Sequence, residues 1–291
     1  MVRDGVKMSF SDPVTRQIDV GDVSYFVRMS GRFGAKRPLL LLHGFTGGSE
    51  NWEPLFPDLA LTRPLIAVDL LGHGRTSVPS APERYGMMYA AADLAQLLGM
   101  LGVAQVDVLG YSMGGRLSLY FALNFPQVVH SLILESSSPG LATAPERTER
   151  QVRDNKLAER IERDGIELFV DFWESLGLWD SQKGLDDGVR LRLRRQRLRN
   201  RPLGLAHSLR GMGTGVQPNL WPRLTELSIP VALLTGELDR KFVGIAQKML
   251  PLLPNGSHRV IQGAGHTVHL ERPTAWATAV NQLLTAVDTI P

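Results

Sequence analysis

The stretch GYSMGG at positions 110–115 places one hydroxyl, Ser112, among glycines, and Arg116 follows directly. A plain turn would need neither the hydroxyl nor the guanidinium. The apolar run QVDVLGYS (105–112) leads into the serine, and GGRLSLYFALNF (114–125) leads away with helical spacing. A strand, a sharp turn and a helix are the setting of a nucleophile elbow. Glycines are needed there because strand and helix approach closely. The backbone N–H of Met113, at the start of the helix, then points into the space above Ser112 and can bind negative charge. Two partners follow in chain order. Asp239 comes just after the run IPVALLTG, and His266 just after HRVIQGAG. In a serine, acid and histidine set, His266 takes the Ser112 proton and Asp239 fixes the imidazole tautomer. Glu237 is an alternative acid two residues earlier, and His269 an alternative base three residues later. The loop HGF (43–45) follows another apolar run and offers a second N–H, that of Phe45, to the same developing charge. His43, Asp69 and His73 read as groups that brace the glycine-rich loops around them.

These groups must be positioned by a scaffold, and its pattern is legible. Continuous apolar runs recur at 38–44, 63–70, 105–112, 130–137, 229–236 and 258–265. Such runs predict strands buried on both faces, hence a parallel sheet. Helical segments at 90–102, 114–125 and 244–253 alternate with them, which predicts an α/β fold. The early RQIDVGDVSYFVRMSG alternates polar and apolar residues and predicts an antiparallel hairpin at one sheet edge. From Ser138 to Leu224 no buried-strand pattern occurs, so this segment is expected to be a helical cap. The expected division is 1–137 and 225–291 for the core and 138–224 for the cap.

Composition removes several chemistries. The 291 residues contain no cysteine, which excludes thiol catalysis, disulfides and Cys-based metal sites. The net charge is only +3, and no nucleic-acid motif accompanies it. No metal-ligand cluster, phosphate loop or dinucleotide fingerprint is present, so no cofactor is expected. The N-terminus lacks an apolar signal-peptide core and no run is long enough to span a membrane. A cytoplasmic protein without membrane insertion is the expectation, and the sequence leaves its oligomeric state open. Seven arginines and no acids lie between Arg190 and Arg201. Arg190, Arg194, Arg197 and Arg201 share one helix face, and most of this stripe reads as solvated.

The elbow, the HGF loop and the GELD and GAGH stretches resemble the α/β-hydrolase superfamily over nearly the whole chain. The resemblance implies the α/β-hydrolase fold, a mostly parallel central sheet flanked by helices, with a helical cap insertion. HGFTGGSENW, GYSMGGRLSL, LILESSSPGL, ERTERQVRDNKLA, RPLGLAHSLRGMGTGVQP and GAGHTVHLERP are similar to a narrower group. This is the MenH-like family, the 2-succinyl-6-hydroxy-2,4-cyclohexadiene-1-carboxylate synthases of menaquinone biosynthesis. It implies a lyase that eliminates pyruvate from 2-succinyl-5-enolpyruvyl-6-hydroxy-3-cyclohexene-1-carboxylate. The triad would act as a base, without a cofactor. The small-molecule substrate is a polycarboxylate, and the family match makes Arg116, Arg150 and Arg197 its anion clamps, with Arg195 and Arg199 close to the last. Phe172 and Trp173 would line the pocket or the cap core, and Tyr111 would face the substrate. The competing reading is a serine carboxylesterase, thioesterase or C–C hydrolase acting on an acidic substrate through an acyl-enzyme. Both use the same triad; the arginines favour the lyase. A non-catalytic binding module would be expected to lack a triad member.

Overall fold

The computed structural model describes residues 9–34, 36–60 and 63–289. Most of the N-terminal stretch read for a signal peptide lies outside the described residues. The alternating early segment forms the hairpin β1 (Ser9–Val20) and β2 (Val23–Arg32), antiparallel and at one edge of the sheet. The six apolar runs become six parallel strands: β3 (Leu39–Leu42), β4 (Leu65–Val68), β5 (Val106–Tyr111), β6 (Val129–Glu135), β7 (Val231–Gly236) and β8 (Gly256–Ile261). The sheet order is β1-β2-β4-β3-β5-β6-β7-β8, with β2 antiparallel to β4.

Why the inner strands carry no polar face is clear at β3. Leu40 and Leu42 pack on one side of the sheet with Leu94 and Leu117, while Leu39 and Leu41 pack on the other with Trp52 and Trp276. Leu94 belongs to α2 (Met87–Met100) and Leu117 to α3 (Met113–Asn124). The opposite face is covered by α1 (Phe56–Ala60) and by α9 (Pro273–Asp288), which carries Trp276. Helices on both faces bury every side chain of the strand, each worth about 2 kcal/mol.

Between β6 and β7 the described residues hold helices and no strand. They are α4 (Ala144–Glu174), a 3-10 stretch (Gly177–Gly184), α5 (Asp187–Leu198), α6 (Pro202–Met212) and a second 3-10 stretch (Trp221–Glu226). A capping box starts α4: Thr143 accepts from the Glu146 amide, and Glu146 accepts from the Thr143 amide. Gly165, at φ 78, divides α4 with a kink. Phe169 from α4 packs with Leu205 and Leu209 from α6, and Phe45 of the sheet-edge loop packs on the same cluster. This joins the helical segment to the carboxyl edge of the sheet.

Two helices begin earlier than their periodicity predicts: α2 starts at Met87 rather than 90, and α7 is displaced further. α7 spans Arg240–Met249, not 244–253. The Asp239 side chain accepts from the Phe242 amide at 3.3 Å and starts the helix. Pro251 lies in the 3-10 turn (Leu250–Leu252) that ends it. α8 (Val268–Glu271) is a single turn before α9. Among the described residues no helix is long and apolar enough to cross a membrane.

Candidate active site

The elbow is built by close packing. A Cβ on Gly110 would lie 2.3 Å from Ser118 Oγ and 2.6 Å from Gly115 Cα, atoms of the helix folding back over β5. A Cβ on Gly114 would lie 2.2 Å from the Leu42 carbonyl oxygen, so α3 sits directly on the end of β3. Ser112 is forced between them to φ 51, ψ −107. Only three non-glycine residues among those described have positive φ: Thr46, Ser112 and Ser136. All three follow the carboxyl ends of central strands, where backbone strain accompanies function.

The serine, histidine and aspartate come together. His266 Nε2 lies 3.1 Å from Ser112 Oγ, and His266 Nδ1 lies 2.7 Å from Asp239 Oδ2. Asp239 therefore serves two partners, with Oδ2 on the histidine and Oδ1 on the first turn of α7. The two alternatives stand elsewhere. Glu237 accepts from the Gly263 amide at 3.0 Å, and His269 Nδ1 lies 2.8 Å from Glu135 Oε1 in the interior. His43 Nε2 accepts from the Leu70 amide at 2.9 Å while Nδ1 faces the Gly44 carbonyl at 2.8 Å. Burial pulls its pKa down to about 4 and that of His73 to about 3. Asp69 accepts from the Ser49 and Arg75 amides. These three brace loops and do not reach Ser112.

Above Ser112 lies a cavity of about 600 Å³, within the range of small-molecule sites. Phe45, Met113, Tyr111, Arg116, Arg150, Trp173 and His266 all line it. Tyr111 is held by Thr267, its hydroxyl 2.8 Å from Thr267 Oγ1, and burial pushes its pKa well above the usual phenol range. Trp173 packs edge-on to Phe45, and its buried Nε1 has no hydrogen-bond partner. Phe172 lies outside the cavity lining, under the Arg160 guanidinium.

The arginines divide. Arg116 is 9% exposed and donates to the Met212 carbonyl at 2.7 Å and to Gln217 Oε1 at 3.3 Å. Neither partner is charged. Burial first, then the nearby Arg150 guanidinium, pulls its pKa down to about 10, so it remains a cation at neutral pH. Arg150 spends only Nε on Asp154, at 2.7 Å. Arg197 is not in this lining. It lies behind Trp179, its guanidinium 5.2 Å from that ring, and it donates to Glu174 at 3.0 Å. The helix face that reads as solvated thus turns one member inward, and Arg197 is 6% exposed. Arg199, one of its neighbours, pairs with Glu50.

Several lining residues escape the sequence reading. Trp179 from the 3-10 stretch packs toward His266, and Lys241, Phe242, Ile245 and Lys248 come from α7. The last four share one helical face, a pattern available once the helix is known to start at Asp239. Arg116, Arg150, Lys241 and Lys248 give the lining four cations, against the single acid Glu146.

A parallel sheet with a nucleophile elbow after β5, an acid after β7 and a histidine after β8 defines the α/β hydrolases. The family described as alpha/beta hydrolase fold matches residues 37–273. The chain is 45% identical to a Bacillus subtilis protein provisionally named 2-succinyl-6-hydroxy-2,4-cyclohexadiene-1-carboxylate synthase, over 94% of this chain and 99% of that protein. A Pectobacterium atrosepticum protein with that name is 33% identical over 84% of this chain and 93% of its own length. The solved structure of MenH from Staphylococcus aureus superposes with a TM-score of 0.86 at 36% identity, covering 90% of this chain and 99% of that one. The chain belongs to the α/β-hydrolase family, in the branch of these synthases.

Proposed function

We propose that this protein is a lyase eliminating pyruvate from 2-succinyl-5-enolpyruvyl-6-hydroxy-3-cyclohexene-1-carboxylate. The synthase names of its relatives support this, and so does the charge of the site. The observation that carries it is Arg116. A buried guanidinium whose hydrogen-bond partners are both neutral is costly unless an anion completes the site; here it stands beside Ser112, and the attraction of Asp154 is outweighed by burial and the nearby Arg150. A pocket built for a neutral acyl chain has no use for that arrangement, whereas a tricarboxylate does.

In this reading Ser112 is a base. Its hydroxyl passes its proton to His266 Nε2 as it takes the ring C2 proton, which is acidic because a ketone flanks it. Asp239 supports the imidazolium that forms. The C2–H electron pair becomes the C2=C3 bond, the C3=C4 pair moves to C4=C5, and the C5–O bond breaks. The leaving oxygen departs as enolpyruvate, which takes up a proton at carbon to give pyruvate. Charge developing on the succinyl ketone oxygen is met by the N–H groups of Phe45 and Met113. Arg116 and Arg150 grip carboxylates and so orient C2 toward Ser112. The helices between β6 and β7 act as a cap that closes this cavity from solvent, and Trp173 and Tyr111 form apolar walls. Arg197, behind Trp179, reaches a carboxylate only if that wall moves.

The deciding experiment is pyruvate release from this substrate by the protein and by Ser112→Ala. Fast release that is lost in the variant is expected. Release no faster than the spontaneous reaction would overturn the proposal and return the site to acyl-enzyme hydrolysis of an acidic ester or thioester.

A further inference from the structure

The proton relay depends on one distance, from Ser112 to His266, and those residues sit 154 positions apart on two different loops. A pair of buried carboxylates that the chemistry itself does not use lies against those loops.

Glu135 ends β6 and is fully buried. Among the described residues its carboxylate meets no lysine or arginine. It instead faces two groups of the segment after His266, the His269 amide at 3.2 Å and His269 Nδ1 at 2.8 Å, and Trp276 Nε1 of α9 at 2.8 Å. The main-chain oxygen of the same residue accepts from the amide of Ser112 at 2.8 Å. One residue therefore touches the nucleophile through its backbone and the histidine loop through its side chain. Glu271 grips the same loop from its far end. Its carboxylate accepts from the Gly265 amide at 2.6 Å and the Thr267 amide at 3.1 Å, the amides of the two residues on either side of His266.

Burying a carboxylate costs several kcal/mol unless donors surround it. A leucine at the end of β6 would fill the space without that cost. The amides at 265 and 267 belong to an irregular loop and that at 269 to the first turn of α8, where a helix offers its amides no acceptor of its own. Acceptors must come from elsewhere, and a carboxylate can serve two or three at once.

We propose that Glu135 and Glu271 are positioning residues that hold His266 at proton-transfer distance from Ser112, acting through the loop amides and, for Glu135, through the Ser112 amide as well. This rests on the reading of Ser112 and His266 as the reacting pair. It does not depend on which substrate they act upon.

The test uses Glu135→Gln, Glu271→Gln and His269→Ala. The two glutamines keep shape but turn one acceptor into a donor, and the alanine removes the His269 Nδ1 contact to Glu135 together with the ring's packing, leaving the His269 amide and Trp276 Nε1 on the carboxylate. Each variant is measured for kcat and KM in pyruvate release and for the rate at which a fluorophosphonate labels Ser112. Measurements are made at a temperature where circular dichroism shows it folded. The expected result is a fall of about tenfold to hundredfold in both kcat and labelling rate, the cost of a displaced reacting group. KM should stay within about twofold, since the substrate-binding arginines are untouched. Folded variants with normal kcat and labelling overturn the proposal, as does a change confined to KM. Variants that do not fold also overturn it, because the carboxylates then support the fold alone. A wild-type chain that is labelled but releases no pyruvate removes the lyase reading, and the labelling rates decide this one. A wild-type chain inert in both assays removes both.

Discussion

Replacing Arg116 with methionine separates what this residue does for the substrate from what it does for the fold. Methionine keeps most of the apolar stem and removes the charge. Two terms act on stability. The variant loses donors to the Met212 carbonyl and Gln217, which costs about 1–2 kcal/mol for each acceptor left unpaired. It also relieves the burial of a cation. A pKa lowered from 12.5 to about 10 corresponds to roughly 3 kcal/mol, at about 1.4 kcal/mol per pH unit. The two nearly cancel, so the unfolding free energy should move by no more than about 1 kcal/mol. Activity has no such compensation. A forked pair of charge-assisted bonds to a carboxylate contributes about 3–4 kcal/mol to transition-state binding, so kcat/KM should fall by about two to three orders of magnitude. Pyruvate release, followed by reduction with lactate dehydrogenase, reads the activity, and urea denaturation reads the stability. Hydrolysis of a small neutral ester, where detectable, should be nearly unchanged. A folded variant whose kcat/KM on the tricarboxylate stays within about threefold of wild type would falsify the clamp.

Two further perturbations probe the scaffold. His43 and His73 titrate far below the ordinary 6.5, at about 4 and about 3, because burial disfavours their charged forms. Below pH 6.5 the unfolded chain binds protons that the native chain refuses, so their contribution is complete above that pH and is lost on acidification toward pH 3. With two such groups the slope approaches about 2–3 kcal/mol per pH unit near pH 5; urea midpoints that do not change between pH 7 and 5 would rule this out. Gly114→Ala sets a methyl group 2.2 Å from the Leu42 carbonyl oxygen, a backbone clash that costs about 3 kcal/mol or more. The variant should be recovered unfolded or with a much lower melting temperature, and a normal melting curve would show that α3 does not bear on β3 as described.

The fold was legible where one physical constraint acted alone. Strands buried on both faces must be largely apolar, so β3 to β7 could be found by composition; β8, at the sheet edge, buries only Ile261 and carries Ser257, His258 and Arg259, so the double burial expected of it does not hold. The helical segment between β6 and β7 was visible as a gap in that pattern. The elbow was legible because close packing tolerates only glycine at 110 and 114. The start of α7 was not, because its first turn is Asp239, Arg240 and Lys241, charged residues that conceal a helical face beginning at Lys241. The side chain of Asp239 decides that boundary, and its cap bond to Phe242 is a tertiary detail as much as a local one. The burial of Arg197 was hidden for a different reason. Periodicity gives the helix face but not the depth of each member. Arg194 finds Asp171 and Glu174, and Arg197 shares Glu174 behind Trp179. Those acids lie on another helix, so nothing near position 197 announces that it is the buried one.

The charge of the cavity makes a related point about specificity. Lysines and arginines exceed acids by only three over the whole chain, and that surplus alone says nothing about a polyanionic ligand. Within the lining the ratio is four cations to one acid, and the acid, Glu146, is held by the Thr143 amide and hydroxyl in its capping box. Lys241 and Lys248 are exposed at the α7 wall, while Arg116 is buried beside the nucleophile. Exposed cations act at range and are screened by salt; a buried one acts at contact and is not. In the proposed function an anion would therefore be attracted first by the lysines and bound last by Arg116. The same triad without that gradient would suit a neutral ester. In the proposed lyase the triad would make the chemistry possible, and the placement of a few cations would select the substrate on which it acts.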